Sequence, residues 1–477
     1  MAIFFSPGEE KIRPGVYQRY TKEQGSQYAS ALNGVCAIPV KADWGPVGVV
    51  TECQSATDVI NTFGNAGENN TTNAALAMFK GGATKVYIYR MGVGGASGAL
   101  TLNNEDGASV ATVTAKHPGT RAIAISIQAK IGDATKKEFV VYDGSALVER
   151  FTFAAGEAED EVANMVTAVR SDYLTIEAAE GATGALAIVE MASGALAGGV
   201  NPTVTNADYS TAFEALEPYA YNVIALDVDD DATLTLSNLL AEYMRNAHQR
   251  GKLSTIVVGE KITVPFKNRC DDAKAFNDEK VIFFGSGYKN AAGNIIDGVE
   301  AICYTAGLCA GTPANQSIVH ATYNGAVELA ENLTNAQHEA AIKSGMLTLS
   351  RSADGTIWYD SGVNTLVSPG INQDDGWKKI RRCKTRFEAM DRIDRTVAPC
   401  VGKINCDPDG VAFILQLGNG VLQEMIAEGK IFPGATMIED PENPYKADSA
   451  WFLINLDDID SLEKIYLHYV FRYSQNS

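Results

Sequence analysis

Histidine is scarce in this sequence. His117, His248, His320, His338 and His468 are the five present among 477 residues, and they lie far apart along the chain. Such scatter gives no sign of an acid–base or metal centre, because both need side chains that converge. Cysteine spacing excludes a zinc knuckle too. None of the eight cysteines (Cys36, Cys53, Cys270, Cys303, Cys309, Cys383, Cys400, Cys406) has a partner two residues on. The nearest pairs, Cys303/Cys309 and Cys400/Cys406, are six apart. The short apolar run Ile3, Phe4, Phe5 has no basic region before it, so no secretion signal is read and the thiols are expected to be reduced in a cytosolic protein. No stretch reads as the ~20 apolar residues of a membrane helix. The nearest, 181–200, is Gly/Ala-rich and carries Glu190, so no membrane insertion is expected. Positive charge is the last shortage. Thirty-nine Lys plus Arg stand against 58 Asp plus Glu, a net charge of −19, which argues against nucleic acid as a direct partner.

What is present is enough apolar sequence (46 %) for substantial cores, and a length of about three domains. Residues 1–25 are too poor in apolar residues to fold alone. Pro7-Gly8 and Pro14-Gly15 punctuate them, and the β-prone run Val16, Tyr17, Gln18, Arg19, Tyr20 makes an arm that must lie on something else. Residues 26–94 and 201–363 alternate strand and helix, with strand runs at 35–40, 86–91, 221–226, 253–258 and 281–286. That pattern predicts one discontinuous, layered α/β core. Between its halves, 95–200 reads as an inserted β-rich domain, in which Ile123, Ile125 and Ile127 alternate with smaller or polar residues. Residues 364–462 form a C-terminal α+β domain with a basic helix over 377–397, an apolar helix over 410–428 and a strand over 450–456. The last segment, 463–477, is a second strand-like arm. Ile465, Leu467, Tyr469 and Phe471 face one way along it, and Tyr466, His468, Val470 and Arg472 the other. The fold class is α/β, α+β overall.

Each candidate for chemistry fails on its own pattern. Gly92 to Gly98 follows a strand like a dinucleotide turn, but Ser97 stands at the third glycine position and no helix follows, so a flexible linker is expected. Asp227, Asp229, Asp230 and Asp231 lack the glycine and distal glutamate of a calcium loop, and read as a solvated loop capping the next helix. Gly251-Lys252, Gly402-Lys403 and Gly429-Lys430 are not followed by Ser or Thr, so no Walker loop exists. Neither a catalytic residue nor a cofactor or metal site is expected. One electrostatic feature survives. Lys378, Lys379, Arg381, Arg382, Lys384, Arg386, Arg392, Arg395 and Lys403 are offset only by Glu388, Asp391 and Asp394, a local balance of +6. It is either a solvated helix face with local ion pairs or a docking surface for an acidic partner.

The order of motifs resembles the contractile tail sheath proteins of myophages and phage-tail-like bacteriocins. The resemblance rests on Pro14-Gly15-Val16-Tyr17, Ala42-Asp43-Trp44-Gly45-Pro46-Val47-Gly48, Lys85 to Arg90 before a glycine-rich exit, and Pro118-Gly119-Thr120-Arg121. Val401-Gly402-Lys403-Ile404-Asn405 and Gly429-Lys430-Ile431 extend it to the C-terminal domain. It implies a structural subunit without enzymatic activity, stacked as six-subunit rings around a tail tube. The subunits are joined by both arms adding strands to neighbouring subunits. It also implies an inner C-terminal domain whose basic helix faces the tube, an outer inserted domain, and contraction that drives the tube through a bacterial envelope. Tail tube, baseplate and tail-terminator proteins are the implied partners, and the particle, a virion tail or bacteriocin, is assembled in the bacterial cytoplasm. The competing readings are a cytosolic α/β enzyme with an unrecognised site, which predicts a small closed oligomer, and a different virion protein such as a tube or baseplate component.

Overall fold

The computed structural model describes residues 3–4, 17–18, 29, 31–65, 67, 70–155, 161–180, 187–229 and 234–472. The chain forms two compact units, one of residues 32–387 with 458–477, the other of residues 1–31 with 388–457. The division falls inside the helix Ile380–Val397, further on than the composition change at 364. The reason is local. The Asn364 side chain donates to the Glu279 carbonyl (3.1 Å), and Thr365 N–H to that of Val281 (2.9 Å), which ties this segment to the larger unit.

The larger unit is built on a seven-stranded sheet. Its order is Met346–Leu347, Val281–Phe284, Thr255–Gly259, Val223–Ala225, Val35–Val40, Lys85–Arg90 and Val50–Cys53, parallel except for the last pair. Val35–Val40 is buried at all six positions. Its unbroken apolar run reflects helices on both faces of the sheet. Asn73–Gly81 and Gly298–Gly311 cover one face, and Asn206–Leu216, Thr235–Gln249 and Phe266–Phe276 the other. The first two helices meet backbone to backbone. A Cβ on Gly307 would lie 2.0 Å from the Met78 carbonyl oxygen, and one on Gly81 would lie 2.1 Å from that of Tyr304. Only glycine permits that approach.

The inserted domain is a β-sandwich. A four-stranded sheet (Ala146–Ala154, Asp133–Asp143, Ile123–Lys130, Met191–Ala195) packs on a three-stranded one (Leu174–Ala178, Ser109–Ala115, Ala99–Asn103). Its core includes Leu102, Val113, Ile125, Ile127, Phe139 and Met165.

The glycine-rich exit to this domain is a correction to the expected flexible linker. Residues 92–99 run antiparallel to 197–203 as a double strap. Backbone bonds are exchanged both ways by Val93 and Thr203 (3.0 and 3.1 Å), Ala96 and Val200 (2.9 Å each), and Ala99 and Ala197 (2.8 and 3.0 Å). Glycine is used here for close passage: a Cβ on Gly95 would come within 2.9 Å of the Val200 carbonyl oxygen.

Three side chains complete the joint. Trp44, on the loop after the first core strand, has its ring in the core of the inserted sandwich and is 4 % exposed. It packs edge-on to His117 (5.2 Å) and stacks on Tyr173 (6.1 Å), with the Arg121 guanidinium over both large rings. Arg90, fully buried, donates to the carbonyls of Ala42 (2.7 Å), Gly45 (2.5 Å) and Pro118 (2.8 Å).

The smaller unit holds residues 388–397 of the basic helix, the helix Pro408–Ala427, and an antiparallel pair, Thr436–Glu439 with Phe452–Asn455. Asp407 caps the second helix by accepting from Gly410 N–H (2.8 Å), ahead of Pro408 at its first position. Ala389, Ile393, Val421, Leu422, Met425 and Met437 form its core. By length and composition Pro408–Ala427, the expected apolar helix, is apolar enough to cross a membrane. Val411, Gly418, Val421, Leu422 and Met425 of that helix are buried. Ile3–Phe4 pairs in parallel with Tyr17–Gln18, so the N-terminal segment pairs with itself.

Candidate functional site

The C-terminal segment carries the strand periodicity without the strand pairing. Among the described residues, 464–472 make no hydrogen bond, and all of them are exposed. Ile465, Leu467 and Tyr469 are each 69 % exposed and Phe471 92 %. The Tyr469 and Phe471 rings stack at 6.2 Å, as two residues on one side of an extended chain do. So many adjacent exposed apolar side chains mark a surface made for covering. At the other terminus, Tyr17 and Gln18 lie in the short parallel pair already described, while Val16, Arg19 and Tyr20 fall outside the described residues.

The smaller unit presents one open strand edge. Among the described residues, the strands Thr436–Glu439 and Phe452–Asn455 pair only with each other, and the outer edge of the first is capped at Met437, whose N–H donates to Asn419 Oδ1 (2.9 Å) and whose carbonyl accepts from Asn419 Nδ2 (2.8 Å). Ile438, Leu453 and Ile454 on them are 42, 44 and 39 % exposed. Beside them, Met390, Val397, Val401, Phe452 and Ile454 line an apolar groove of about 480 Å³.

The basic helix does not stand as an uncompensated charge. In the larger unit Lys378 pairs with Asp375 (2.8 Å), and Lys379 with Asp460 (2.6 Å) and Glu463 (3.0 Å). Arg381 donates to Ser461 Oγ (3.0 Å) and Arg382 to Asp458 (3.0 Å). Arg386 reaches Asp374 (2.8 Å) and Asp458 (2.9 Å). Lys384 donates to the carbonyls of Cys309 (3.0 Å) and Ala310 (2.8 Å), capping the Gly298–Gly311 helix. In the smaller unit Arg392, 1 % exposed, meets Glu388 (3.3 Å), Glu424 (2.6 Å) and Glu428 (2.9 Å), and donates to the Ala29 carbonyl (2.9 Å). Arg395 pairs with Asp391 (2.9 Å). The +6 window looked unbalanced because most of its acids, at 374–375, 424–428 and 458–463, lie outside it. Burial raises the Asp458 carboxyl, but Arg382 and Arg386 override this and hold it below the ordinary aspartate range.

At the crevice where an α/β enzyme binds its ligand, the carboxylates of Asp227 and Asp229 have partners within the chain. The strand order reverses between Val35–Val40 and Val223–Ala225, the switch point at which such folds place their sites. Asp227 lies there, 1 % exposed, accepting from Tyr209 Oη (2.7 Å), Lys41 N–H (3.1 Å) and the Thr71 hydroxyl. Burial raises its pKa. Asp229 accepts from Val299 N–H (2.8 Å) and pairs with Lys261 (2.7 Å). It therefore caps the Gly298–Gly311 helix and not the next helix along the chain, as the sequence suggested. Asp230 and Asp231 lie outside the described residues. Among the described residues no cluster of His, Cys, Asp and Glu has a metal-binding arrangement.

A layered α/β core, a sandwich inserted by a double strap and an unpaired apolar arm define a subunit that is incomplete alone. Residues 94–201 match the family profile described as the phage tail sheath protein beta-sandwich domain, and 202–364 the phage tail sheath protein central domain. The chain belongs to the phage tail sheath protein family, and is a structural subunit of a contractile tail. It is 28 % identical over 374 residues to the uncharacterized protein YqbK of Bacillus subtilis (76 % of this chain, 75 % of the relative). It is 23 % identical over 482 residues to the phage-like element PBSX protein XkdK of the same organism (97 % and 98 %). Among solved structures, the sheath tail protein DSY3957 of Desulfitobacterium hafniense superposes with a TM-score of 0.68 at 22 % identity, covering 94 % of this chain and 100 % of that one. The helical sheath of the anti-feeding prophage in its contracted state gives 0.55 at 12 % identity, covering 97 % and 99 %.

Proposed function

We propose that the chain polymerises as stacked six-subunit rings around a tail tube, each copy lending its terminal arms as strands to neighbouring copies. The observation that carries this reading is the exposed arm 464–472, unpaired among the described residues, together with the open strand edge Phe452–Asn455 on the smaller unit. The receiving edge is Phe452–Asn455 of another copy, with the groove beside it taking one apolar face of the arm. An added strand of about six residues makes four to six backbone hydrogen bonds, each worth roughly 0.5–1.5 kcal/mol net. Exposed ion pairs to a tube contribute only about 0–1 kcal/mol each. In contraction the tube contacts therefore break first, while the strand mesh holds and transmits the motion. The extended sheath is held by a barrier and not by equilibrium.

The tube contact along the basic helix falls to its most exposed cations, Lys378 and Arg395, since the other six have more buried or carbonyl-directed roles. The protein works mechanically, without catalysis. Its place is the tail of a virion or phage-like particle assembled in the bacterial cytoplasm, in company with baseplate and tail-terminator proteins. Purified full-length chain is expected to form long hollow tubes with six-fold end views in negative-stain electron microscopy. Small closed oligomers at every concentration would favour the enzyme reading instead.

A further inference from the structure

The charge of the basic helix has a use inside the chain. We propose that its N-terminal half is the holdfast for the root of the C-terminal arm. Lys379, Arg381, Arg382 and Arg386 grip Asp458, Asp460, Ser461 and Glu463, and the arm leaves from that fixed point towards a neighbouring copy. The second half of this statement rests on the strand-exchange reading above.

The pattern of attachment carries it. Among the described residues, every side-chain bond joining the segment 458–472 to the rest of the chain falls within residues 458–463: Asp458 to Arg382 and Arg386, Asp460 to Lys379, Ser461 to Arg381, and Glu463 to Lys379 and Ser317. From 464 to 472 none is made among the described residues. The change from held to unheld therefore comes at one residue, where the β-alternating run begins.

The grip is also built, and not a chance surface pairing. The Asp458 side chain is 4 % exposed, and receives both Nε and Nη2 of Arg382 and both Nε and Nη2 of Arg386. The Arg386 guanidinium lies over the Trp377 ring at 4.5 Å and is braced from behind by Asp374. Gly376 leaves room for both heads: a Cβ there would stand 2.4 Å from Arg382 Cζ and 2.7 Å from Arg386 Nη2. Charge-assisted, bidentate contacts of this kind fix direction as well as distance. A fixed root lowers the ordering cost of adding the arm to another copy, because fewer residues are left to immobilise on binding.

The test is limited proteolysis read by mass spectrometry on the full-length chain, unassembled, with Asp458→Asn and Asp458→Glu beside the natural sequence. Asparagine keeps size and acceptor but removes charge, so cleavage within 458–463 is expected to run about tenfold faster. Cleavage within the core strand Val281–Phe284 should not change. The onset concentration for polymer formation should rise by a similar factor, and Asp458→Glu should restore both to within about threefold. Unchanged cleavage within 458–463 in Asp458→Asn overturns the holdfast. So does faster cleavage with a natural onset of assembly, which would show a grip with no part in positioning the arm. Because cleavage is measured on single chains, it decides the grip whether or not arms are exchanged between copies.

Discussion

Removing residues 464–477 is expected to abolish polymer formation and to leave the single chain folded, with its thermal transition within about 2 °C of the full-length value. Both halves of this result come from the same observation. Residues 464–472 are all exposed and, among the described residues, make no hydrogen bond, so their loss takes little native contact from the monomer. They also form a continuous run of exposed apolar side chains, with Tyr466 at 89 % and Phe471 at 92 %. Nine extended residues reach about 30 Å, ample to span a four-residue edge strand such as Phe452–Asn455. Sedimentation velocity reads the assembly state, and differential scanning calorimetry the fold. A truncated chain that still sediments as polymer would remove the C-terminal arm from the lattice.

The second large effect is at the joint between core and insertion. Trp44→Ala is expected to destabilise the inserted sandwich by about 3–5 kcal/mol, the range for deleting a buried large aromatic. The loss is not only a cavity. Trp44 is covalently part of the core domain while its ring lies among the sandwich residues, so it couples the two. Arg121 would lose one of its two rings, and keep the ion pair to Asp143 (2.7 Å) and the stack on Tyr173. The double strap remains, so the insertion stays attached but melts on its own. Calorimetry should show a single transition in the natural chain become two, the lower one belonging to the sandwich. A variant with one unshifted transition would mean that the strap and Arg90 hold the joint without the indole.

Much of this architecture can be read from residues alone, and the exceptions have physical causes. Val35–Val40 and Val281–Phe284 declare themselves as buried strands because both faces of a covered sheet demand apolar side chains. The helix Gly298–Gly311 does not, although it is the most buried in the core. With partners on nearly every side it has no polar face, and Gly307 and Gly311 weaken its helical propensity in favour of backbone contact. Glycines at 92–98 suggest flexibility by composition, whereas Gly92 and Gly95 let two antiparallel segments pass closely. The Trp44-Gly45-Pro46 step is recognisable as part of a family pattern, but only the sandwich core shows why an indole belongs there.

Charge misleads for a similar reason. A window of sequence sums neighbours along the chain, while Arg386 finds Asp458, 72 residues away, and Arg392 finds Glu424 and Glu428. The ion pairs of this helix run mostly to acids distant in sequence. The C-terminal arm is the reverse case. Its alternation is visible in the sequence, and under the strand-exchange proposal it serves a partner strand that a single chain does not contain.

The most direct measurement is an electron cryomicroscopy map of the assembled polymer at a resolution that traces residues 458–472. The expected result is continuous density leaving Glu463 of one copy and running in β-register beside Phe452–Asn455 of another. A map in which 464–472 folds back on its own copy, with that edge open or covered by a different segment, would contradict the strand-exchange account.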